Sequence, residues 1–481
     1  MREAAYATLT GADRALGHLL AGEWLERSGH ADPMALAEHF QRGADPPRAA
    51  TWYRSAAELA LEADDLAAAL DRAALGVACG AVGEELGHLR LIQAEADVWR
   101  GELSAAEAGA VGATSLLTPG CAEWFRAVRV SVNAAGKLGS YDQVEERMAL
   151  AARTPPARGA ASAQLVCLCD CALQLVLAGR YPVADAMLAR LRKIAPDPFA
   201  LEAPVAAALE HLAGVRAVFS GDAGASLERF EAALASLESA GDRRQACMVR
   251  SNLGTAFAHL GDFESAEESL RAALLSAERL GLHDVASVAA QNLGRTLAYL
   301  GRLEEAEQVE QRAADVFKRL GDRRMEGCSR SYLGEIALLD RDPARAEREA
   351  AAAADLLRVA PPLRAAALAV QARAVLRQDR AADALPLARD ALAILDGIGA
   401  VEEGESLVRL VHAEVLAGTG DRAACLAAAA AAAERLLARA ARISDPAWRE
   451  RFLTSVPENA QTLALAGDTY ARAARLAVTQ A

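Results

Sequence analysis

The chain has 481 residues, 53% of them hydrophobic and only 4% aromatic, with 16 Pro. That is a helix-former's composition, long enough for two or three ordinary domains or one elongated repeat array. A net charge of −13, with no dense Lys/Arg run, argues against nucleic acid as a partner. Eight Cys without paired spacing fit free thiols in a reducing compartment. The opening "MREAAYATLTGADRALG" has no signal-peptide core, and no uncharged apolar run reaches the roughly 18 residues that span a bilayer. The expectation is a cytoplasmic protein without a membrane partner.

Residues 1–45 read as a short helical N-terminal cap. From about Pro47 onward, helical periodicity is interrupted by turn signals at a nearly fixed interval. They fall near Asp64, Gly101, Gly139, Gly179, Gly221, Gly261, Gly301, Arg341, Asp379 and Gly420, spaced 37 to 42 residues apart. Ten helical hairpins therefore tile residues 46–443. A C-terminal helical cap over 444–481 starts near Asp445-Pro446, since Asp before Pro suits a helix start.

The repeat is explicit in the middle of the chain. "SNLGTAFAHLGDFESAEESL" (Ser251–Leu270) recurs as "QNLGRTLAYLGRLEEAEQVE" (Gln291–Glu310), identical at nine of twenty positions. Leu253-Gly254 recurs as Leu293-Gly294 and Leu333-Gly334, and Ala266 recurs as Ala306 and Ala346. Apolar residues at helical spacing through Leu253, Phe257 and Leu260 form a first helix. Gly261-Asp262 breaks it, and Phe263, Ala266, Leu270 and Ala273 begin a second. Gly254 and Ala266 are small where the two helices must approach. Such a hairpin cannot bury its apolar face alone, so it stacks on its neighbours.

This small–large pattern resembles the tetratricopeptide repeat (TPR), best defined over residues 240–350. The period of about 40, against the usual 34 or so, is similar to the long-helix variant of bacterial regulators and kinesin light chains. The resemblance implies an all-α, right-handed solenoid whose first helices line a concave groove. The ends resemble a narrower group, the C-terminal TPR arm of bacterial Ser/Thr kinase–AAA/STAND ATPase regulators. "LTGADRALGHLLAGEWLERSG" (Leu9–Gly29) and "LAEHFQRGADPPRAATWYRSAAELAL" (Leu36–Leu61) look like the junction of ATPase to repeats. "ISDPAWRERFLTSVPENAQTLALA" (Ile443–Ala466) looks like the closing segment. The chain lacks the phosphate loop and the His-Arg-Asp catalytic loop of those proteins, and Leu138 follows Gly136-Lys137 where a hydroxyl belongs.

No constellation for catalysis, cofactor or metal emerges. Cys167, Cys169 and Cys171 in "CLCDC" alternate sides of a helix and read as small core residues. No His-x-x-x-His pair forms a zinc site, and no nucleophile elbow is present. Glu304-Glu305 and Glu402-Glu403 read as solvated charge. Trp52, Trp99, Trp124 and Phe125 read as core.

The informative polar positions recur with the repeat. Asn252 and Asn292 each precede a Leu-Gly pair, and the resemblance implies amides that hold an extended peptide backbone by donating and accepting at once. Thr255, Arg295 and Glu335 share one repeat position; His259 and Tyr299 share another. Ser331 completes the candidate groove. The alternative is that the two Asn residues cap or bridge neighbouring helices. The family's carboxylate clamp is not expected, because its positions carry Ser251, Cys328 and Tyr332.

The resulting expectation is a non-catalytic protein-interaction scaffold in bacterial signalling, with a protein or peptide partner in the groove. The alternative is the effector-sensing arm of a signal-transduction ATPase or Ser/Thr kinase, with such a domain as partner.

Overall fold

The computed structural model describes residues 8–29, 32–195, 202–398 and 404–467. Glu402-Glu403 and the last fourteen positions of the expected C-terminal cap lie outside the described residues. Among those described, every regular element is helical, and no helix is long and apolar enough to cross a membrane.

Helices α1 (Gly11–Ser28) and α2 (Pro33–Arg42) come first. Ten hairpins follow: α3 (Pro46–Glu62) with α4 (Leu66–Ala78), α5 (Gly83–Arg100) with α6 (Leu103–Leu116), α7 (Ala122–Lys137) with α8 (Tyr141–Arg153), α9 (Ala161–Leu177) with α10 (Tyr181–Ile194), α11 (Ala203–Phe219) with α12 (Ala223–Ala240), α13 (Arg243–His259) with α14 (Phe263–Arg279), α15 (His283–Tyr299) with α16 (Leu303–Leu320), α17 (Arg323–Leu339) with α18 (Pro343–Leu356), α19 (Pro361–Leu376) with α20 (Ala381–Ile398), and α21 (Glu405–Gly418) with α22 (Arg422–Ala440). Two short helices, α23 (Pro446–Thr454) and α24 (Pro457–Ala466), are the last among the described residues. This is the all-α helical-hairpin solenoid the repeat implies.

All ten turn residues named from the sequence have left-handed backbones, with φ from 61° to 84°. The turn after α13 shows why. Gly261 N–H reaches back to Ala258 O (3.0 Å) and Asp262 N–H to Phe257 O (3.0 Å), which satisfies carbonyls at the helix end. Asp262 Oδ1 then accepts from Ser265 N–H (3.3 Å) and caps α14. Two residues end one helix and start the next. Asp445 likewise caps α23, accepting from Trp448 N–H (2.9 Å).

Three of these turns lack glycine: Asp64 (φ 62°), Arg341 (φ 64°) and Asp379 (φ 61°). Arg has no short polar side chain to offset the left-handed strain. Arg341→Gly is therefore expected to stabilise the chain by about 0.5–1 kcal/mol. A urea midpoint at or below that of the parent chain would show that the turn is unstrained.

Burial follows the pattern. Ala266, Leu270 and Ala273 are fully buried. A Cβ on Gly254 would lie 2.6 Å from Leu270 Cγ and 3.2 Å from Ala266 O, so this close approach requires glycine. Cys167, Cys169 and Cys171 are buried. Trp124 and Phe125 are buried too, whereas Trp52 and Trp99 are half-buried.

Two compact units are present, residues 1–135 with 149–167 and residues 136–148 with 168–481. The first packs Leu36, Phe40, Ala49 and Tyr53 into one core, with Leu19, Leu25 and Trp52 against it. The second has long-range closures. Lys137 pairs with Asp284, Pro362 packs near Gly179, and Arg442 Nη1 donates to Ser220 O at 3.2 Å. Its early turns thus meet helices that lie far downstream in the chain.

Candidate functional site

The site lies in the second unit, on the first helices α13, α15 and α17. Repeat-equivalent residues face the same way, because consecutive hairpins stack in register. Thr255, His259, Asn292, Arg295 and Tyr299 line one cavity, together with Tyr332. The opposite wall comes from Glu405 and Ser406 of α21, Arg439 of α22, and Phe452, Glu458 and Asn459 of the last two helices.

Arg295 is the central cation. Its guanidinium lies over the rings of Tyr332 (4.9 Å) and Tyr299 (5.4 Å), and its Nε is 3.6 Å from Glu335 Oε2. Ring faces and a carboxylate both favour a positive charge here. Two sequence-equivalent positions thus form one ion pair between neighbouring hairpins. Ser331 is buried and does not line the cavity. Glu335 does not line it either, and pairs with Arg295, which does.

The two asparagines make inter-helix bonds. Asn252 Nδ2 donates to His211 Nε2 at 2.8 Å, and Asn292 Nδ2 lies 3.5 Å from Ser251 Oγ. Each reaches the first helix of the preceding hairpin. Asn292 also lines the cavity, whereas Asn252 lies outside it. Bridging and groove-lining are therefore combined at Asn292. Burial pushes the pKa of His211 down to about 4, against a small opposing effect of Asp170. The imidazole is neutral and can accept the Asn252 amide.

Glu405 is the anionic counterpart. It is 5% exposed and accepts from Arg435 Nε (2.8 Å) and Arg409 Nε (3.3 Å). Arg439 Nη1 stands 3.8 Å from its other oxygen. Burial opposes its ionisation, but Arg439, Arg435 and Arg409 outweigh it and hold the pKa below the ordinary value. The site thus presents fixed charges of both signs, aromatic faces and an amide. Such a surface suits recognition of polar backbone and a few side chains. Among the described residues no group of His, Cys, Asp and Glu is arranged to hold a metal.

The sequence pattern missed Glu405, Arg439 and the wall from α23 and α24. These residues have no repeat equivalent, and only the Asp445-Pro446 helix start marked their neighbourhood.

Arg451 Nη1 pairs with Asp262 Oδ2 at 2.9 Å. The Trp448 ring lies 5.9 Å from that of Phe257 on α13, and Tyr299 Oη donates to Glu458 Oε1 at 3.3 Å. The last two helices therefore cover the groove face of α13 and α15. The cavity left between them has a volume of about 80 Å³, well below the several hundred Å³ of ordinary ligand pockets.

The tetratricopeptide repeat family matches residues 244–319, which span α13 to α16. No curated protein matches the chain. Among solved structures it is similar to a Rap protein complexed with competence and sporulation factor, at 13% identity and a TM-score of 0.53, over 74% of this chain and 99% of that one. It is also similar to the APC/C hetero-tetramer Cut9-Hcn1, at 14% identity and a TM-score of 0.50, over 95% of this chain and 92% of that one. The match places tetratricopeptide repeats at α13–α16, and the likenesses of fold support a helical-repeat solenoid for the chain.

Proposed function

We propose that the chain is a non-catalytic protein-interaction scaffold of bacterial signalling, which holds a protein or peptide partner in the groove of its second unit. One observation carries the reading. Five of the eight candidates taken from the repeat and its family resemblance, Thr255, His259, Asn292, Arg295 and Tyr299, line one cavity. Fixed donors and acceptors there suit a peptide backbone. The similarly folded Rap protein was solved with competence and sporulation factor bound, which is in keeping with a groove that takes a partner.

The test places a photo-crosslinking residue at Thr255 in the full chain, in the source cells. A discrete crosslinked partner is expected, and Arg295→Ala should lower its yield at least tenfold. The control position is Leu275, 59% exposed on α14. The same products from Leu275 as from Thr255, unchanged by Arg295→Ala, would sink the groove reading.

A second reading, the effector-sensing regulatory arm of a signal-transduction ATPase or Ser/Thr kinase, covalently attached or encoded separately, is favoured by one observation on α1. Leu16, Leu20 and Trp24 are 55%, 54% and 64% exposed at helical spacing, an apolar stripe of the kind that marks an interface. Leu20→Asp with Trp24→Asp should then abolish capture of such a domain and leave crosslinking at Thr255 intact. Capture that survives the double substitution rules the stripe out as its docking site.

A further inference from the structure

The groove already has an occupant. Helices α23 and α24 are tied to each other, to the preceding linker and to α22 by contacts of their own. Arg449 Nε and Nη2 donate to Ile443 O (3.0 and 2.8 Å), the Phe452 ring lies under the Arg439 guanidinium at 5.4 Å, and buried Asn459 Nδ2 donates to Phe452 O at 2.7 Å. These contacts make a rigid base. From it, a separate set of side chains reaches across to α13–α15: Trp448 to Phe257, Arg451 to Asp262, and Glu458 to Tyr299. The turn at Gly261 also abuts this segment, since a Cβ there would lie 2.9 Å from Arg451 O and 3.0 Å from Ser455 Cβ.

The base and the reach differ in burial. Arg449, Phe452, Leu453 and Asn459 are buried. Trp448 and Glu458 are half-buried, and Arg451 is exposed. The segment is therefore fixed firmly at one end of the groove and held weakly across it. Weak, exposed contacts are the ones that open first.

We propose that residues 446–466 form an internal strap that occupies the groove as a self-ligand. The partner that displaces it is then a helical segment of the same chemistry: an aromatic side chain for Phe257, a cation three residues on for Asp262, and an acid for Tyr299. This rests on the groove reading above and adds its regulation. The complementarity is specific. Asp262 is largely buried, with its Oδ2 bonded to Ser265 Oγ at 2.9 Å, and a cation meets it from outside. With the strap seated, the cavity that remains is about 80 Å³.

The test uses the full chain carrying Thr255→Cys, reacted with a bulky maleimide, with the labelled site mapped by mass spectrometry. Trp448→Ala with Arg451→Glu should raise the labelling rate of the introduced thiol at least tenfold and leave the helical circular-dichroism signal unchanged. An excess of a synthetic peptide covering residues 445–467 should slow that labelling again. The same peptide carrying Trp448→Ala and Arg451→Glu should not. Equal rates with and without the strap substitutions overturn the strap. Protection by both peptides, or by neither, overturns the recognition chemistry. If the strap opens but Thr255 crosslinks no partner in cells, the groove reading falls and the strap stands. If crosslinking is identical in wild type and the opened variant, the regulatory role falls and the groove reading stands.

Discussion

Glu405→Gln should destabilise the second unit by about 3 kcal/mol, because it removes one carboxylate from beneath three arginines. The structure concentrates charge there. The Glu405 side chain is 5% exposed and that of Arg439 18% exposed, while Arg409 and Arg435 approach the same carboxylate. Surface ion pairs typically contribute less than about 1 kcal/mol. Here the pair is desolvated, and loss of the anion leaves Arg439 buried without a counter-charge. Burial already pushes the Arg439 pKa down despite Glu405. Glutamine keeps the shape and acceptor of the side chain, so the loss reports charge and not packing. Replacing both partners, Glu405→Gln with Arg439→Met, should recover most of the stability, since the uncompensated charge is then gone. Urea unfolding, with hydrogen exchange over residues 404–440 to localise the effect, reads both variants. A single variant within about 0.5 kcal/mol of wild type would mean that solvent, and not the carboxylate, neutralises the arginines.

The hairpins were legible because their determinants are local. A left-handed turn residue selects Gly or a short polar residue, and the next position must cap a helix. Gly261-Asp262 writes both demands in two letters, and the period of about 40 repeats them. Even Arg341, a poor left-handed residue, is placed by the flanking period. Adjacency within the repeat was legible for the same reason: Thr255, Arg295 and Glu335 are equivalent letters of one repeat, and stacking brings Arg295 and Glu335 side by side. The long-range closures were not legible. Trp448 meets Phe257, Arg451 meets Asp262 and Lys137 meets Asp284 across distances in sequence at which no periodicity survives. Such contacts depend on how small rotations between hairpins accumulate, which no single repeat encodes. The Asn252 amide shows the limit within the repeat itself. Its position follows from the pattern, but its bond to His211 depends on a residue of the preceding hairpin, where the pattern is weak.

His211 itself underlies the second large effect, a cancellation in acid. The folded pKa of His211 is about 4, lowered from 6.5 chiefly by burial. The unfolded chain then takes up the proton first, so stability falls as pH drops from 6.5 towards 4, by about 3 kcal/mol at most. Asp322 runs the other way. Burial chiefly, with nearby Asp284, raises its pKa from 3.8 to about 6 against the pull of Met325 N–H, Lys137 and Arg324. The folded chain takes up this proton first, so stability rises by a similar amount as pH falls from about 6 to 3.8. Asp322→Asn keeps the acceptor that caps α17 through Met325 N–H and removes the titration. It should unmask a loss of about 3 kcal/mol between pH 7 and 4, relative to wild type. His211→Gln should show the opposite difference, a relative gain of about the same size. Carboxylates such as Glu267 and Glu305, whose pKa values are lowered, titrate alike in all three proteins and drop out of the comparison. Asn252→Asp adds the discriminating case. A carboxylate 2.8 Å from His211 Nε2, in place of the amide, would raise the imidazole pKa and shrink the acid loss that Asp322→Asn exposes. Urea midpoints at pH 7 and 4 for the parent and the variants decide it. Parallel pH profiles for Asp322→Asn and His211→Gln would show that neither group titrates as its burial requires.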